Sequence, residues 1–286
     1  LGKNIIQENK HLVSKNSILV EEVLEDLFLN TTAFIDFYLE IPGYQGKDYK
    51  NRPTLFGEAR ISKLFRQFHE CIRAIERSKK DKCSLIRAHY TDIRQNLDEM
   101  KDGNDLSYVE VTLYDHPKKV VQILDNDTRV INTLKMLGTK DLGKYIAFLK
   151  SQILQSSIVK KEFERTTLDK KKYYDFLEKE IVKEGMVHRK KFMAAFTTEI
   201  LNKKGRDLIS ILPIIFFALG SIVAINATIL DSYLLSRIFK KFKNTQNQPE
   251  SPHNIVIYVG NKHANTYRKF LETINFYTYR LNDCNK

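Results

Sequence analysis

From Leu208 to Leu230 the chain reads LISILPIIFFALGSIVAINATIL, with no charged residue between Asp207 and Asp231. About twenty apolar residues in a row can cross a bilayer as a helix, so the run must be either a membrane span or the centre of a domain. Basic residues lie on both sides of it and would suit a span. Pro213, Gly220 and Asn226 interrupt it. A single span would also put the strand-like NIVIYV, residues 254–259, across the membrane from the strands it must pair with. The reading is therefore a buried core helix, broken near Pro213.

Around this helix, strand-like and helical segments alternate. Ile18, Leu19, Val23, Leu27 and Phe28 recur at helical spacing, and AFIDFYLEIPGY after them reads as a buried strand ended by Pro42 and Gly43. Residues 56–80 carry Ile61, Leu64, Phe65, Phe68, Ile72 and Ile75 along one helical stripe, and CSLIRAHYTDIR is the next strand. From 115 to 205 the pattern is helical, with turns expected near Gly138–Gly143, Thr166 and Gly185. NTQNQPESPHN is a polar linker, after which a buried strand, a turn at Gly260 and a helix follow. NIIQ near the start and NFYTYRLND near the end could add short strands. The expected fold is α/β, a mostly parallel sheet with flanking helices and a large helical insertion. Residues 1–114 would begin the core, 115–205 form the insertion or cap, and 206–286 complete the core.

The chain has 286 residues and a formal net charge of +12, an excess that attracts anions: nucleic acid, lipid headgroups or acidic proteins. The basic runs sit mostly in helical segments, where solvated faces also explain them. Cys71, Cys83 and Cys284 have no zinc spacing, and their small, odd number points to a reducing compartment. LGKNIIQENK is too polar for the apolar core of a signal peptide. P-loop, nucleophile-elbow and dinucleotide glycine patterns are absent from the sequence.

In a parallel sheet, ligands collect beyond the carboxyl ends of the strands. That rule selects Glu40 after FIDFYL, His89 and Asp92 after SLIRA, and His263 after NIVIYVG. His89 and Asp92, three apart, would converge only if their strand ended at about Tyr90. NIIQENKH ends in His11 as IVIYVGNKH ends in His263, each ahead of a helix. Gly260 would let the chain turn tightly and project His263 over the sheet edge.

Two histidine turns of this kind, with an acidic residue at a nearby strand end, resemble the TraB/Tiki and EreA/ChaN-like superfamily. Its members pair two G-x-x-H turns with that acidic group. Gly260-Asn261-Lys262-His263 matches one turn and Glu40 the acid, while Glu8 stands where the first turn would have glycine. LDSYLLSRIFK, IYVGNKHANTYRKFL, DFYLE and HYTDIR are also similar to proteins encoded by large DNA viruses. The resemblance covers about half the chain. It implies a divalent metal ion held by His11, Glu40 and His263, activating water for hydrolysis, with His89 or Asp92 orienting water or substrate. Other members hold haem in the same cleft, or open a lactone without metal, so fold does not name the reaction. For a viral protein it also implies the host cytoplasm or the virion. The rival expectation is a non-enzymatic basic structural or virion protein, binding a protein partner, a membrane or nucleic acid.

Overall fold

A computed structural model describes residues 20–42, 85–93, 105–195, 208–243 and 248–277. The fold is mixed α/β, a small three-stranded parallel sheet and otherwise mostly helices. The chain forms two compact units, one within Leu1–Thr91 and Lys241–Tyr258, the other within Asp92–Lys240 and Val259–Lys286.

The first unit holds helix α1 (Val20–Asn30) and strands β1 (Ile35–Pro42), β2 (Ile86–Asp92) and β3 (Asn254–Tyr258). The sheet order is β2-β1-β3, with β1 parallel to β3 in the register Ile35↔Asn254 to Leu39↔Tyr258. β1 is central and accordingly buried on both faces: Ile35, Phe37 and Leu39 on one, Asp36 and Tyr38 on the other. Leu24 and Phe28 of α1 are buried as well, Phe28 edge-on to Phe37 at 4.9 Å. β3 was expected to be buried and is instead an edge, with Ile255 and Tyr258 exposed. Among the described residues it has a partner only on its β1 side, so its β-branched run reflects strand propensity rather than burial.

The second unit is helical: α2 (Asp105–Asp115), α3 (Val120–Asn126), α4 (Thr128–Leu137), α5 (Leu142–Gln155), α6 (Ser157–Arg165), α7 (Lys170–Ala195), α8 (Leu208–Ile238) and α9 (Asn261–Thr273). Short polar residues start several of them. Asp127 accepts from the amides of Arg129 and Val130 at the head of α4, and Ser156 from Val159 at the head of α6. The expected turns near Gly138 and Thr166 are present.

α8 is the axis of this unit, packed by α2, α6, α7 and α9. It runs unbroken through Pro213, contrary to the expected break. Pro213 lies on an exposed face, where water can satisfy the carbonyl that proline leaves without a donor. Ile211, Ile214, Ala218, Ile222, Ile225 and Ile229 form the buried face at helical spacing. Ile209, Leu212, Phe216 and Val223 form an exposed one. Beyond Ala224 nearly every side is buried, and the hydroxyls there turn back on their own helix: Ser232 donates to Thr228 O at 2.7 Å and Ser236 to Tyr233 O at 2.8 Å. Such self-satisfied hydroxyls let a polar-looking helix occupy a core.

Gly185 does not make the expected turn, since α7 passes straight through it. The glycine serves close approach instead. A Cβ there would meet Tyr145 Oη at 2.7 Å and Leu149 Cδ1 at 3.0 Å, and the Tyr145 hydroxyl donates to Gly185 O. Burial pushes the Tyr145 phenol up to about 12. Gly185→Ala is expected to cost about 1–3 kcal/mol through overpacking. Gly220→Ala, on an exposed stretch of α8 with nothing within 4 Å of the new Cβ, should gain about 0.5–1 kcal/mol from helix propensity. Urea melts of the two variants should therefore shift in opposite directions.

Candidate active site

Gly260 precedes α9 with φ −60° and ψ 150°, ordinary extended backbone rather than the left-handed turn glycine alone would permit. The chain goes directly into helix, so His263 sits in the first turn of α9 rather than in a loop beyond the strand. Its direction comes from further along the same face. Tyr267 and Phe270, four and seven residues on, are buried, and Phe270 packs against Tyr173 and Phe176 of α7 at 5.3 and 5.1 Å. That anchorage turns His263 toward α8, where its Nδ1 lies 2.6 Å from Asp231 Oδ1. The aspartate side chain is 6% exposed and the imidazole 14%.

A cleft of about 330 Å³ opens beside this pair, small but within the range of metabolite sites. Val223, Ala224, Ala227 and Leu230 of α8 give it an apolar wall. Its polar groups are Glu110 of α2, Asn226 of α8, and Lys262 and His263 of α9. Asn226 Nδ2 donates to Glu110 Oε2. The carboxylate at Nδ1 fixes the tautomer and orientation of the ring. The arrangement thus holds an oriented imidazole, a lysine cation and a carboxylate around one small cleft.

The sheet unit contains a second polar cluster of another kind. Asp36 of β1, fully buried, accepts from Arg87 Nε at 2.5 Å and Nη2 at 3.0 Å, and lies 2.8 Å from His89 Nε2. Arg87 also donates to Pro249 O at 3.0 Å and lies 3.9 Å over the Phe242 ring. His89 stacks on Tyr38 at 4.3 Å. Burial raises the Asp36 carboxyl, but hydrogen bonds from His89 and Arg87 and their charges outweigh it and hold the group below its ordinary value. This cluster fastens β1, β2 and the chain entering β3 together.

The residues expected to form the site are distributed as follows. His263 lines the cleft. Glu40 lies near the end of β1, half-buried. His89 lies inside β2 rather than past its end, committed to Asp36 and Tyr38, and β2 continues through Asp92 rather than stopping near Tyr90. His11 and its turn lie outside the described residues, as do the three cysteines. Among the described residues no three of His, Cys, Asp and Glu are grouped to hold a metal ion. The sequence reading missed Asp231, Glu110, Asn226, Asp36 and Arg87. For two of them a signal existed: Asp36 in AFIDFYL and Asp231 in ATILDSYLL are single charges inside apolar runs, which need a buried partner. No protein-family model, curated protein or solved structure matches the chain.

Proposed function

We propose that the chain is a hydrolase of the Tiki/TraB-like kind, with His263 as its working imidazole. The observation that supports this is the Asp231–His263 pair at the edge of the cleft. A carboxylate behind Nδ1 selects one tautomer, stops the ring from turning and raises the basicity of Nε2. His263 can then take a proton from attacking water through Nε2. Lys262 brings a positive charge to the same cleft, suited to the oxyanion of an attacked carbonyl. The same pair fits a divalent cation, because an imidazole backed by a carboxylate is the usual outer support of a histidine ligand. A cation bound there would supply water acidic enough to attack at neutral pH.

Purified protein, incubated with zinc or manganese and desalted, tests the reading by elemental analysis and by hydrolysis of an ester, amide and lactone panel. His263→Ala should lower hydrolysis by about a hundredfold or more, and bound metal with it. Equal hydrolysis by both proteins would rule the reading out.

A second reading, a non-enzymatic basic binding module, is favoured by the exposed apolar stripe Ile209, Leu212, Phe216 and Val223 on a helix of bilayer length. With a net charge of +12, it predicts binding to nucleic acid or anionic vesicles that weakens steeply with salt. Cosedimentation at low and physiological salt checks it, and binding indifferent to salt would leave the charge as solubility alone.

A further inference from the structure

One end of the helical unit collects exposed apolar side chains from three helices. Thr167 N donates to Phe239 O at 2.8 Å, which ties the start of α7 to the end of α8. The two long helices pack along each other, so they run antiparallel and the last turns of α7 lie beside the first turns of α8. Arg189 of α7 donates through Nη2 to Thr139 O at 2.6 Å and to Lys140 O at 3.2 Å, which brings the start of α5 to the same end. Exposed there are Ile209, Leu212 and Phe216 of α8, Val187 of α7 and Leu142 of α5, with Phe216 72% open to solvent. Such side chains are ordinary when single, but a group of them marks a contact surface. Lysines stand among them: Lys140, Lys144 and Lys190 are exposed, with Asp141 4.0 Å from Lys144.

We propose that this end of the unit docks on an anionic lipid bilayer, with Leu212 and Phe216 entering the acyl boundary and the lysines meeting lipid headgroups. The proposal rests on the second reading above, which it narrows to one partner, and is independent of the hydrolase reading. Charge selects that partner. A symmetric second copy would set Lys140, Lys144 and Lys190 against the same lysines, whereas phosphatidylserine headgroups answer them. Nucleic acid would satisfy the lysines too, but its phosphate backbone would leave the aliphatic side chains in water. Shape points the same way. Packed helix axes lie about 8–10 Å apart, so side chains on three helix ends spread over roughly 20 Å, which a flat bilayer meets at once. From Ile209 to Phe216 α8 rises about 10.5 Å, close to the depth that interfacial helices bury. No charge interrupts α8 before Asp231, so nothing on its first turns resists the apolar boundary. The rest of α8 is the packed axis of the unit, so the helix docks rather than spans.

The test uses the full chain with vesicles of phosphatidylcholine alone and of equal parts phosphatidylcholine and phosphatidylserine. The chain contains no tryptophan, so Phe216→Trp supplies a single fluorescent reporter at the proposed acyl boundary. On the mixed vesicles its emission should shift to the blue and be quenched by brominated acyl chains, and on phosphatidylcholine alone it should stay as in water. Phe216→Asp and Leu212→Asp should each weaken cosedimentation with the mixed vesicles by about tenfold or more. Lys140→Glu and Lys190→Glu should each weaken it by about fivefold or more. All four positions face water, so these variants should keep the wild-type circular dichroism, and His263→Ala should bind vesicles as wild type does. No binding to the mixed vesicles, or binding that leaves the reporter in water, overturns the inference. Salt-sensitive binding to nucleic acid without binding to vesicles overturns it and leaves the second reading standing. Dimers that Phe216→Asp dissociates, again without vesicle binding, give the face to a second copy and overturn it as well.

Discussion

Asp36→Ala lowers the free energy of unfolding by about 3–5 kcal/mol, since it leaves a buried guanidinium and a buried imidazole without their carboxylate. The aspartate is fully buried, and Arg87 and His89 are each 4% exposed, so water cannot readily take its place. The partners come from three distant stretches, β1, β2 and the chain before β3, so the loss should release the sheet rather than one side chain. Replacing all three members together with apolar residues of similar volume should cost far less than the single change, because no charge is then stranded. The pH dependence follows from the depressed Asp36 carboxyl. A carboxylate held below its ordinary value contributes stability that is complete above the ordinary range and is lost as pH falls through the folded-state value. Wild type should therefore lose this contribution only in acid, below the usual carboxylate range, and Asp36→Ala should lack that part of the acid dependence. Chemical denaturation over a pH series reads both effects, and a variant as stable as wild type would refute the assignment.

Asp231→Asn should reduce hydrolysis by about a hundred- to ten-thousandfold with little change in fold, because an amide can donate to Nδ1 and thereby fix the wrong tautomer of His263. The two residues act as one unit, so the double variant Asp231→Asn/His263→Ala should be no worse than His263→Ala alone. Additive losses would mean that Asp231 acts on something other than the imidazole.

What the sequence made legible followed from local periodicity. The helix over Val20–Asn30 and the strands at Ile35–Pro42 and Ile86–Asp92 show in the spacing of apolar residues. What it hid depends on residues far apart in the chain. Gly185 reads as a helix breaker, and only the Tyr145 side chain, 40 residues away, shows it to be a point of close packing. Pro213 reads as a break, and only its exposed position explains an intact helix. His263 was legible because it follows a strand, a glycine and two polar residues. Its partner was not, because Asp231 is 32 residues earlier on another helix. His89 looked like a strand-end ligand for the same reason that Glu40 did, and its commitment to Asp36, 53 residues away, has no local signature.

Nitrogen-15 NMR of the His263 ring, assigned by its absence in His263→Ala, reads whether Asp231 holds Nδ1 and so fixes the tautomer of the ring. Wild type should show the neutral Nδ1–H tautomer, and Asp231→Asn should lose it. A neutral His263 found as the Nε2–H tautomer, or averaging between the two, would contradict it.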